Sequence, residues 1–353
     1  MTPIASPTDS ILRLSVLDQS PVSEGTTGAQ ALRNTLDLAC LGDSLGFHRY
    51  WVAEHHGGPS LAGASPEVLI GPIAAATRRL RVGSGGVMLP HYSPLKVAES
   101  FAILAALHPG RIDLGLGRTA GTDPMTAKVL QRDRRMTPPD DFPSQLVELM
   151  GYLDGNFAAD HPLARLVAAL PCRGAEGPSP WLLGSSHESA IWAGELGLPY
   201  AFGDFINPYG AQHAARYRER FRPSVRRAHP ELAVAAWVLV ADTDAEAERL
   251  ASSARMATAM ARRDELIAVP PVDTALDFLA TQGERDGRRG IVGSPSTVRA
   301  GLEQLAADYG AEEVIAVTIT FDHDARRRSY ELLADAFGLE GPSAARPLAL
   351  ASD

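Results

Sequence analysis

The protein has 353 residues, of which 45% are hydrophobic and 21% are charged, a composition typical of globular proteins. Its formal net charge of −9 argues against an electrostatic nucleic-acid surface, and no apolar run is long enough to span a bilayer. The N-terminus has no basic segment followed by an apolar one, so we see no secretory signal. The two cysteines, Cys40 and Cys172, form no metal or redox motif, and we expect a cytoplasmic protein.

The first third of the chain alternates short apolar strands with amphipathic helices. The sequence predicts strands at 12–17, 50–52, 80–90 and 111–116, and helices at 29–45, 66–77 and 94–107. This short spacing indicates parallel strands joined by crossover helices.

The pattern then breaks, because residues 119–178 are polar and rich in Arg, Asp and Pro, with one apolar helical stretch near 145–153. Regular elements return afterwards. The predicted strands are 180–184, 198–202, 233–241 and 313–320, and the predicted helices are 186–196, 209–221, 244–263, 294–309 and 324–337. Residues 264–290 look irregular.

Eight strands that alternate with helices predict an α/β protein, a (β/α)8 TIM barrel with insertions after strands 4 and 7. We expect one domain over 1–353, with its core at about 11–338. An open doubly wound sheet is the structural alternative. It is disfavoured because the glycine-rich segment 115–121 lacks the G-x-G-x-x-G spacing of a dinucleotide loop.

The second strand, Tyr50 to Val52, runs directly into Glu54, His55 and His56. Ionisable groups at the rim of a core are usually hydrogen-bonded, metal-bound or catalytic. The alternative is a structural cap in which Glu54 satisfies His55. Adjacent strand residues point to opposite faces, so the sequence predicts no metal site.

Small residues precede a helix at Gly184, Ser185, Ser186 and Ser189. The N–H groups and positive dipole end of that helix favour a phosphate, and Arg118, at the end of the fourth strand, could supply the countercharge. Ordinary N-capping by Ser186 is by itself the more frequent reason for such serines.

Gly85 and Gly86 lie inside the third strand. Glycines within a strand often mark a bulge or a close approach by a ligand, and a planar ring system needs such side-chain-free backbone. The alternative is a bend of the barrel with no ligand.

These motifs together resemble the bacterial luciferase-like flavin monooxygenases, from Leu14 to about Thr320. The similarity is carried by six segments in the same order: Tyr-Trp-Val-Ala-Glu-His-His at 50–56, Val-Gly-Ser-Gly-Gly-Val-Met-Leu-Pro-His at 82–91, Ser-Pro-Leu-Lys-Val-Ala-Glu at 93–99, His-Pro-Gly-Arg-Ile-Asp-Leu-Gly-Leu-Gly-Arg at 108–118, Leu-Leu-Gly-Ser-Ser at 182–186 and Gly-Leu-Pro-Tyr-Ala-Phe at 197–202. It is weak over 119–178, before residue 10 and after residue 340.

The resemblance implies a role for each motif. His55 corresponds to the family's catalytic histidine beside the flavin and the substrate, His56 to a helper, and Glu54 belongs to the same motif. Gly85 and Gly86 fall where relatives place a non-proline cis peptide under the flavin ring.

The resemblance also implies a phosphate site. Arg118 corresponds to the arginine that reaches the flavin phosphate, and the segment from Gly184 through Ser185 and Ser186 to Ser189 corresponds to the phosphate-binding turn. Bacterial luciferase has an acidic residue where this chain has Ser185. It has a reactive cysteine where this chain has Gly117, and this difference argues against light emission from a long-chain aldehyde.

The implied activity is two-component monooxygenation. A separate NAD(P)H:flavin reductase supplies reduced FMN, and one oxygen atom of O2 is inserted into a small organic substrate. Segments 119–178 and 264–290 are expected to shape the substrate pocket, the second as a mobile lid, and relatives often form homodimers through helices near strands 2 to 4.

The substrate and the cofactor have alternatives. Only Lys96 and Lys128 are lysines among 33 basic residues, which hints at a GC-rich genome and favours a tailoring step in secondary metabolism, for example on an aromatic polyketide. The alternatives are hydride transfer with the deazaflavin F420 and a non-catalytic flavin-binding protein on the same fold.

Overall fold

The computed structural model describes residues 12–118, 122–130, 141–172, 176–282 and 290–341. In these ranges the strands are Arg13–Asp18 (β1), Arg49–Val52 (β2), Arg81–Met88 (β3), Ile112–Gly117 (β4), Ser179–Gly184 (β5), Tyr200–Gly203 (β6), Leu232–Val240 (β7), Gly290–Gly293 (β8) and Glu313–Val317 (β9). The helices are Gly28–Leu45 (α1), Pro66–Ala76 (α2), Pro94–Leu107 (α3), Pro124–Leu130 (α4), Phe142–Asp154 (α5), Ala164–Ala169 (α6), His187–Glu195 (α7), Ala211–Arg220 (α8), Asp244–Ala261 (α9), Val272–Ala280 (α10), Pro295–Tyr309 (α11) and His323–Phe337 (α12). A single 3-10 turn, Leu89–His91, follows β3.

Local sequence signals explain several helix ends. Proline occupies the first helical position of α2, α3 and α11, where its missing N–H costs no hydrogen bond. Helix α1 begins after Thr27, whose side chain accepts a hydrogen bond from the Gln30 amide, and ends at Gly46 in the left-handed conformation.

The strands form a closed parallel barrel. Strand β1 pairs with β2 and β9, neighbouring strands pair in turn from β2 to β7, and β7 pairs with β9 to complete the ring. The eight barrel strands, β1 to β7 and β9, are those that the sequence predicts. The predicted (β/α)8 barrel is confirmed, and the open doubly wound sheet is excluded because a closed barrel has no edge strands.

Strand β8 was not predicted, and it pairs with the second half of β7, from Trp237 to Val240. Helix α10 was not predicted either, so the expectation of an irregular segment over 264–290 is wrong for its described residues. Val272, Ala275 and Leu279 of α10 recur at helical spacing, a signal that the prediction overlooked. Residues 283–289, which the prediction of a lid also covers, lie outside the described part of the chain.

The apolar helical stretch in the predicted first insertion is α5. Phe142, Leu146 and Leu149 of this helix are buried and belong to the main core between the sheet and the helices. Residues 119–121, 131–140 and 173–175 of the predicted insertion lie outside the described residues. The division of the chain into a core and two insertions stays a prediction.

The barrel interior is filled by a second apolar cluster. Trp51 and Trp181 meet edge to face, with ring centroids 5.4 Å apart, and Leu17, Ala233 and Ile315 belong to the same cluster. This packing closes the middle of the barrel, so the loops after the strands are the place for a ligand site. No helix within the described ranges is both long and apolar enough to cross a membrane.

Candidate active site

Glu54 is the buried centre of the motif that follows β2. Its Oε1 atom lies 2.8 Å from His56 Nε2 and accepts a hydrogen bond of 3.0 Å from the Tyr92 hydroxyl. Its Oε2 atom accepts one of 2.9 Å from the Met88 amide. The structural-cap alternative paired Glu54 with His55, whereas the structure pairs Glu54 with His56. The motif is therefore tied to the end of β3 and to the start of α3.

His55 has no such partner. Its backbone amide donates to the Gly63 carbonyl at 2.8 Å, while its buried Nδ1 atom makes no hydrogen bond to any residue that the structure describes. Burial and the neighbouring His56 lower the pKa of His55 to about 4. The imidazole is therefore neutral at physiological pH, and its unprotonated ring nitrogen can accept a hydrogen bond from a bound molecule.

Gly85 and Gly86 lie at an irregularity of β3. The register between β3 and β4 shifts between Ser84 and Val87, and the Gly85–Gly86 peptide bond is cis. A Cβ atom on Gly86 would lie 2.9 Å from the Gly115 oxygen, and one on Gly85 would lie 2.5 Å from Leu17 Cδ1. Packing alone thus requires both glycines, and their contact with a flavin ring stays a prediction.

Arg118 and the start of α7 come together at the same end of the barrel. The Arg118 guanidinium lies 5.2 Å from the ring centroid of Trp192 on α7. The backbone amide of Glu188 and the Ser186 hydroxyl hold the pKa of the Glu188 carboxyl below its ordinary value, and the Arg118 charge adds to this effect. The predicted countercharge therefore stands beside the helix start at which the predicted anion site lies.

Ser186 and Ser189 form a capping box at the start of α7. Each side chain accepts a hydrogen bond of 3.3 Å from the backbone amide of the other, and Ser189 Oγ lies 2.8 Å from the Tyr200 hydroxyl. N-capping by Ser186, the alternative to a ligand site, is therefore present in the structure. A Cβ atom on Gly184 would clash with Ser189, and the Ser185 carbonyl accepts a hydrogen bond from Asn207. The predicted phosphate contacts stay predictions.

Loops from three parts of the chain surround the histidines. Thr122 donates to the His56 carbonyl at 2.7 Å, and a Cβ atom on Gly58 would lie 3.1 Å from Leu266. Val269 exchanges backbone hydrogen bonds of 2.8 Å with Val22 and Glu24 after β1. The described residues from both predicted insertions therefore border the site.

The sequence did not identify Tyr92 or Met88 as parts of this site. Both lie where β3 ends, in the segment Met88 to Tyr92, and their position at the carboxyl end of a barrel strand is the signal that could have found them. Among the described residues, no group of three or more His, Cys, Asp or Glu side chains could hold a metal ion.

A sequence model of the luciferase-like monooxygenases matches residues 12–313. The chain belongs to this family. This chain is 45% identical to YwcH of Bacillus subtilis (strain 168), an uncharacterized protein. The alignment spans 334 residues, which cover 93% of this chain and 99% of YwcH. The N-acetyl-S-alkylcysteine monooxygenase of the same organism is 36% identical over 334 residues, 92% of this chain and 98% of that enzyme. The crystal structure of apo-MsnO8 has a TM-score of 0.86 at 39% identity and covers 94% of this chain and 99% of its own.

Two more distant structures share the fold of this luciferase-like monooxygenase. The oxygenating constituent of 3,6-diketocamphane monooxygenase from Pseudomonas putida, in complex with FMN, has a TM-score of 0.67 at 21% identity and covers 92% of this chain and 97% of its own. An F420-dependent secondary alcohol dehydrogenase has a TM-score of 0.64 at 14% identity and covers 92% of this chain and 99% of its own. The predicted family and enzyme class, monooxygenase, are confirmed, while the fold occurs with both FMN and F420.

Proposed function

We propose that this luciferase-like monooxygenase is the oxygenating component of a two-component system. A separate NAD(P)H:flavin reductase supplies reduced FMN, and the protein inserts one oxygen atom of O2 into a small organic substrate. The observation that carries the proposal is His55, a neutral imidazole with an unpartnered buried nitrogen at the carboxyl end of the barrel. A group of this kind can accept or return one proton during oxygen transfer.

The residues present fit a flavin mononucleotide. We assign the isoalloxazine ring to the backbone at Gly85 and Gly86, and the phosphate to Arg118 and the start of α7. The turn from Gly184 to Ser189 also belongs to this assignment, with Ser185, whose hydroxyl has no role in the capping box, as the free hydroxyl of the turn. When bound in reduced form, the flavin supplies the electrons for O2 activation.

The protein side of the reaction consists of positioning and proton handling. His55 holds or accepts the proton, and Glu54 orients the helper His56 through the 2.8 Å hydrogen bond. The loops that border the site exclude water from the reacting atoms. We propose a substrate of secondary metabolism such as an aromatic polyketide. The N-acetyl-S-alkylcysteine monooxygenase shows that a relative of this length acts on a small organic molecule.

We also propose a cytoplasmic homodimer formed by the outer faces of α2 and α3. Three large apolar side chains are exposed there, namely Val68 at 65%, Ile103 at 44% and Leu107 at 69%. Exposed apolar side chains on these two neighbouring helices favour association with a second copy.

Stopped-flow absorbance tests the proposed reaction. The protein is loaded anaerobically with reduced FMN, and in parallel with reduced F420, and is then mixed with oxygenated buffer. We expect a transient spectrum that differs from reduced and oxidised FMN and outlasts any transient of free reduced FMN. Binding of F420 without binding of FMN would instead make the site a hydride-transfer site. Tight FMN binding without a transient would favour a non-catalytic flavoprotein.

The His55→Ala variant ties this reaction to the site. We expect it to bind FMN normally but to form about 100-fold less product per O2 consumed, the usual scale of lost general acid–base catalysis. The exposed His229 provides the matched control, since His229→Ala removes an imidazole from the surface. Equal product yield from both variants would contradict the role of His55.

A further inference from the structure

The Glu54 carboxylate is held by donors from two directions. The Met88 amide and the Tyr92 hydroxyl flank the 3-10 turn after β3, and His56 approaches from the loop after β2. Three donors on the two oxygens of one buried group are the pattern of an ionised carboxylate. Burial and the Glu54 charge raise the pKa of Tyr92 well above its ordinary value, so its hydroxyl keeps its proton and donates.

A second carboxyl, Glu67 on α2, lies in the same electrostatic environment. Its Oε2 atom is buried without a hydrogen-bond partner, and burial together with the Glu54 charge raises the pKa of Glu67. The two carboxyls therefore differ in their surroundings, since three donors contact Glu54, whereas Oε2 of Glu67 has none within the described residues.

We propose that Tyr92 is a positioning residue of the reaction, which fixes the orientation and the tautomer of the His56 imidazole through Glu54. The proposal rests on the proposed function, because His56 is the helper of His55 in that reaction. Tyr92 and His56 share Glu54 Oε1, and because a carboxylate oxygen only accepts, His56 donates from Nε2. In the neutral imidazole Nδ1 is then the acceptor.

Removal of the Tyr92 hydroxyl would leave Glu54 Oε1 with one donor. The carboxylate could then rotate about its broad terminal torsion and admit water, so the His56 tautomer would no longer be fixed. The effect would reach His55, since the two imidazoles are adjacent in the chain and interact electrostatically.

The test compares Tyr92→Phe with Tyr152→Phe in the full-length protein. Both changes keep the ring and remove a phenol–glutamate hydrogen bond, because Tyr152 donates to Glu148 at 3.2 Å on α5, away from the histidines. Imidazole ¹⁵N NMR of the flavin-free protein reports the tautomer of His56, with the signals assigned by their loss in His56→Asn. The reaction of reduced FMN with O2 is then followed in each variant.

We expect Tyr92→Phe to mix the His56 tautomers and to shorten the transient seen after O2 mixing. Solvent exchange of the His56 Nε2 proton should be about tenfold faster, which is the scale for the loss of one hydrogen bond to a charged group. Tyr152→Phe should match the wild type in all three readouts. An unchanged His56 spectrum in Tyr92→Phe would overturn the proposal, as would a changed spectrum with an unchanged transient. If the wild type forms no transient, the proposed function fails, and the NMR comparison alone then decides whether Tyr92 fixes His56.

Discussion

At the scale of single residues, the two adjacent histidines have different environments. His56 shares a hydrogen bond of 2.8 Å with a buried carboxylate, whereas the buried Nδ1 of His55 has no hydrogen-bond partner. This asymmetry separates an oriented imidazole from one that is available to a ligand. It also means that protonation of His55 destabilises the folded protein, since burial disfavours the charged imidazole.

The His55→Gln variant tests this destabilisation. The folded-state pKa of His55 is about 4 and its ordinary value is 6.5, so the unfolded chain binds the proton first as the pH falls. Stability from the neutral imidazole is therefore complete above pH 6.5 and is lost as the pH falls to 4, by up to roughly 3 kcal/mol. Urea unfolding at a series of pH values should show a steeper loss for the wild type than for the variant, and parallel curves would contradict the assignment.

The sequence predicted the residues of the Glu-His-His motif but not their contacts. The partners of Glu54 lie 34 and 38 residues further along the chain, at Met88 and Tyr92. Such contacts depend on how β2 and β3 lie side by side, and no local pattern reports that arrangement. The sequence therefore predicted the candidate residues, which stay candidates, while the choice of His56 over His55 as the partner of Glu54 required the tertiary structure.

At the scale of elements, α7 combines a structural role with a proposed binding role. Its capping box satisfies backbone donors of the first turn, and Arg118 of the preceding β4 loop reaches the helix through Trp192. Arg118 is exposed and lies beside the start of α7, where the phosphate is proposed to bind.

Arg118→Ala should therefore weaken FMN binding about tenfold or more while it leaves riboflavin binding nearly unchanged, since riboflavin lacks the phosphate. Fluorescence titration with both flavins measures this difference. Arg220→Ala is the matched control. Arg220 is the last residue of α8, and its guanidinium lies 3.7 Å from Glu195 at the carboxyl end of α7, far from the proposed phosphate. An equal loss of affinity for both flavins would rule out a phosphate contact.

Helices α2 and α3 provide a second test at this scale. Leu107→Glu places a charge on the exposed apolar face of α3 and should convert a dimer to monomers in sedimentation velocity experiments, because burial of an unpaired charge opposes association. Val147→Glu on α5 is a suitable control, since Val147 is 57% exposed on a different helix. A dimer that survives Leu107→Glu and dissociates with Val147→Glu would place the interface elsewhere.

Element prediction succeeded where the local signals were strong. The predicted bounds of α3 coincide with the observed Pro94–Leu107, which begins with Ser-Pro and has buried residues at helical spacing. Strand β8 was missed because it has only four residues, two of them glycine, whereas α10 was missed although its apolar residues recur at helical spacing. Their structure depends on neighbours, since β8 pairs with the second half of β7.

At the scale of the whole molecule, a buried ionic network spans the amino end of the barrel. Arg49 of β2 contacts Asp113 of β4 and Glu313 of β9, each at 2.9 Å, and both carboxylates are fully buried. Burial alone would raise the pKa of Asp113, but Arg49 and Arg81 hold it below its ordinary value. The network ties strands from distant parts of the barrel together, at the end opposite the candidate site.

Arg49→Met should destabilise the protein by about 3–5 kcal/mol, because two buried carboxylates each lose a charged partner and Asp113 keeps only Arg81 within the described part of the chain. Arg299→Met is the control. Its salt bridge with Glu303 is exposed and joins residues four apart on one helix, so we expect a change of at most about 0.5 kcal/mol. Denaturant midpoints measure both, and a comparable shift in the two variants would show that the buried network contributes no more than a surface pair.

By itself the sequence determined the order of the barrel strands, the helix starts at Ser-Pro pairs, and the candidate residues at the strand ends. These features depend on local periodicity and capping, which adjacent residues encode. Only the tertiary structure decided the partners of buried charges, for which Arg49 reaches 64 residues along the chain to Asp113 and 264 to Glu313. It also placed Tyr92 on Glu54 and Arg118 beside α7. Pairings of this kind form only when the strands assemble into the barrel, because assembly brings residues that are far apart in the chain within hydrogen-bonding distance.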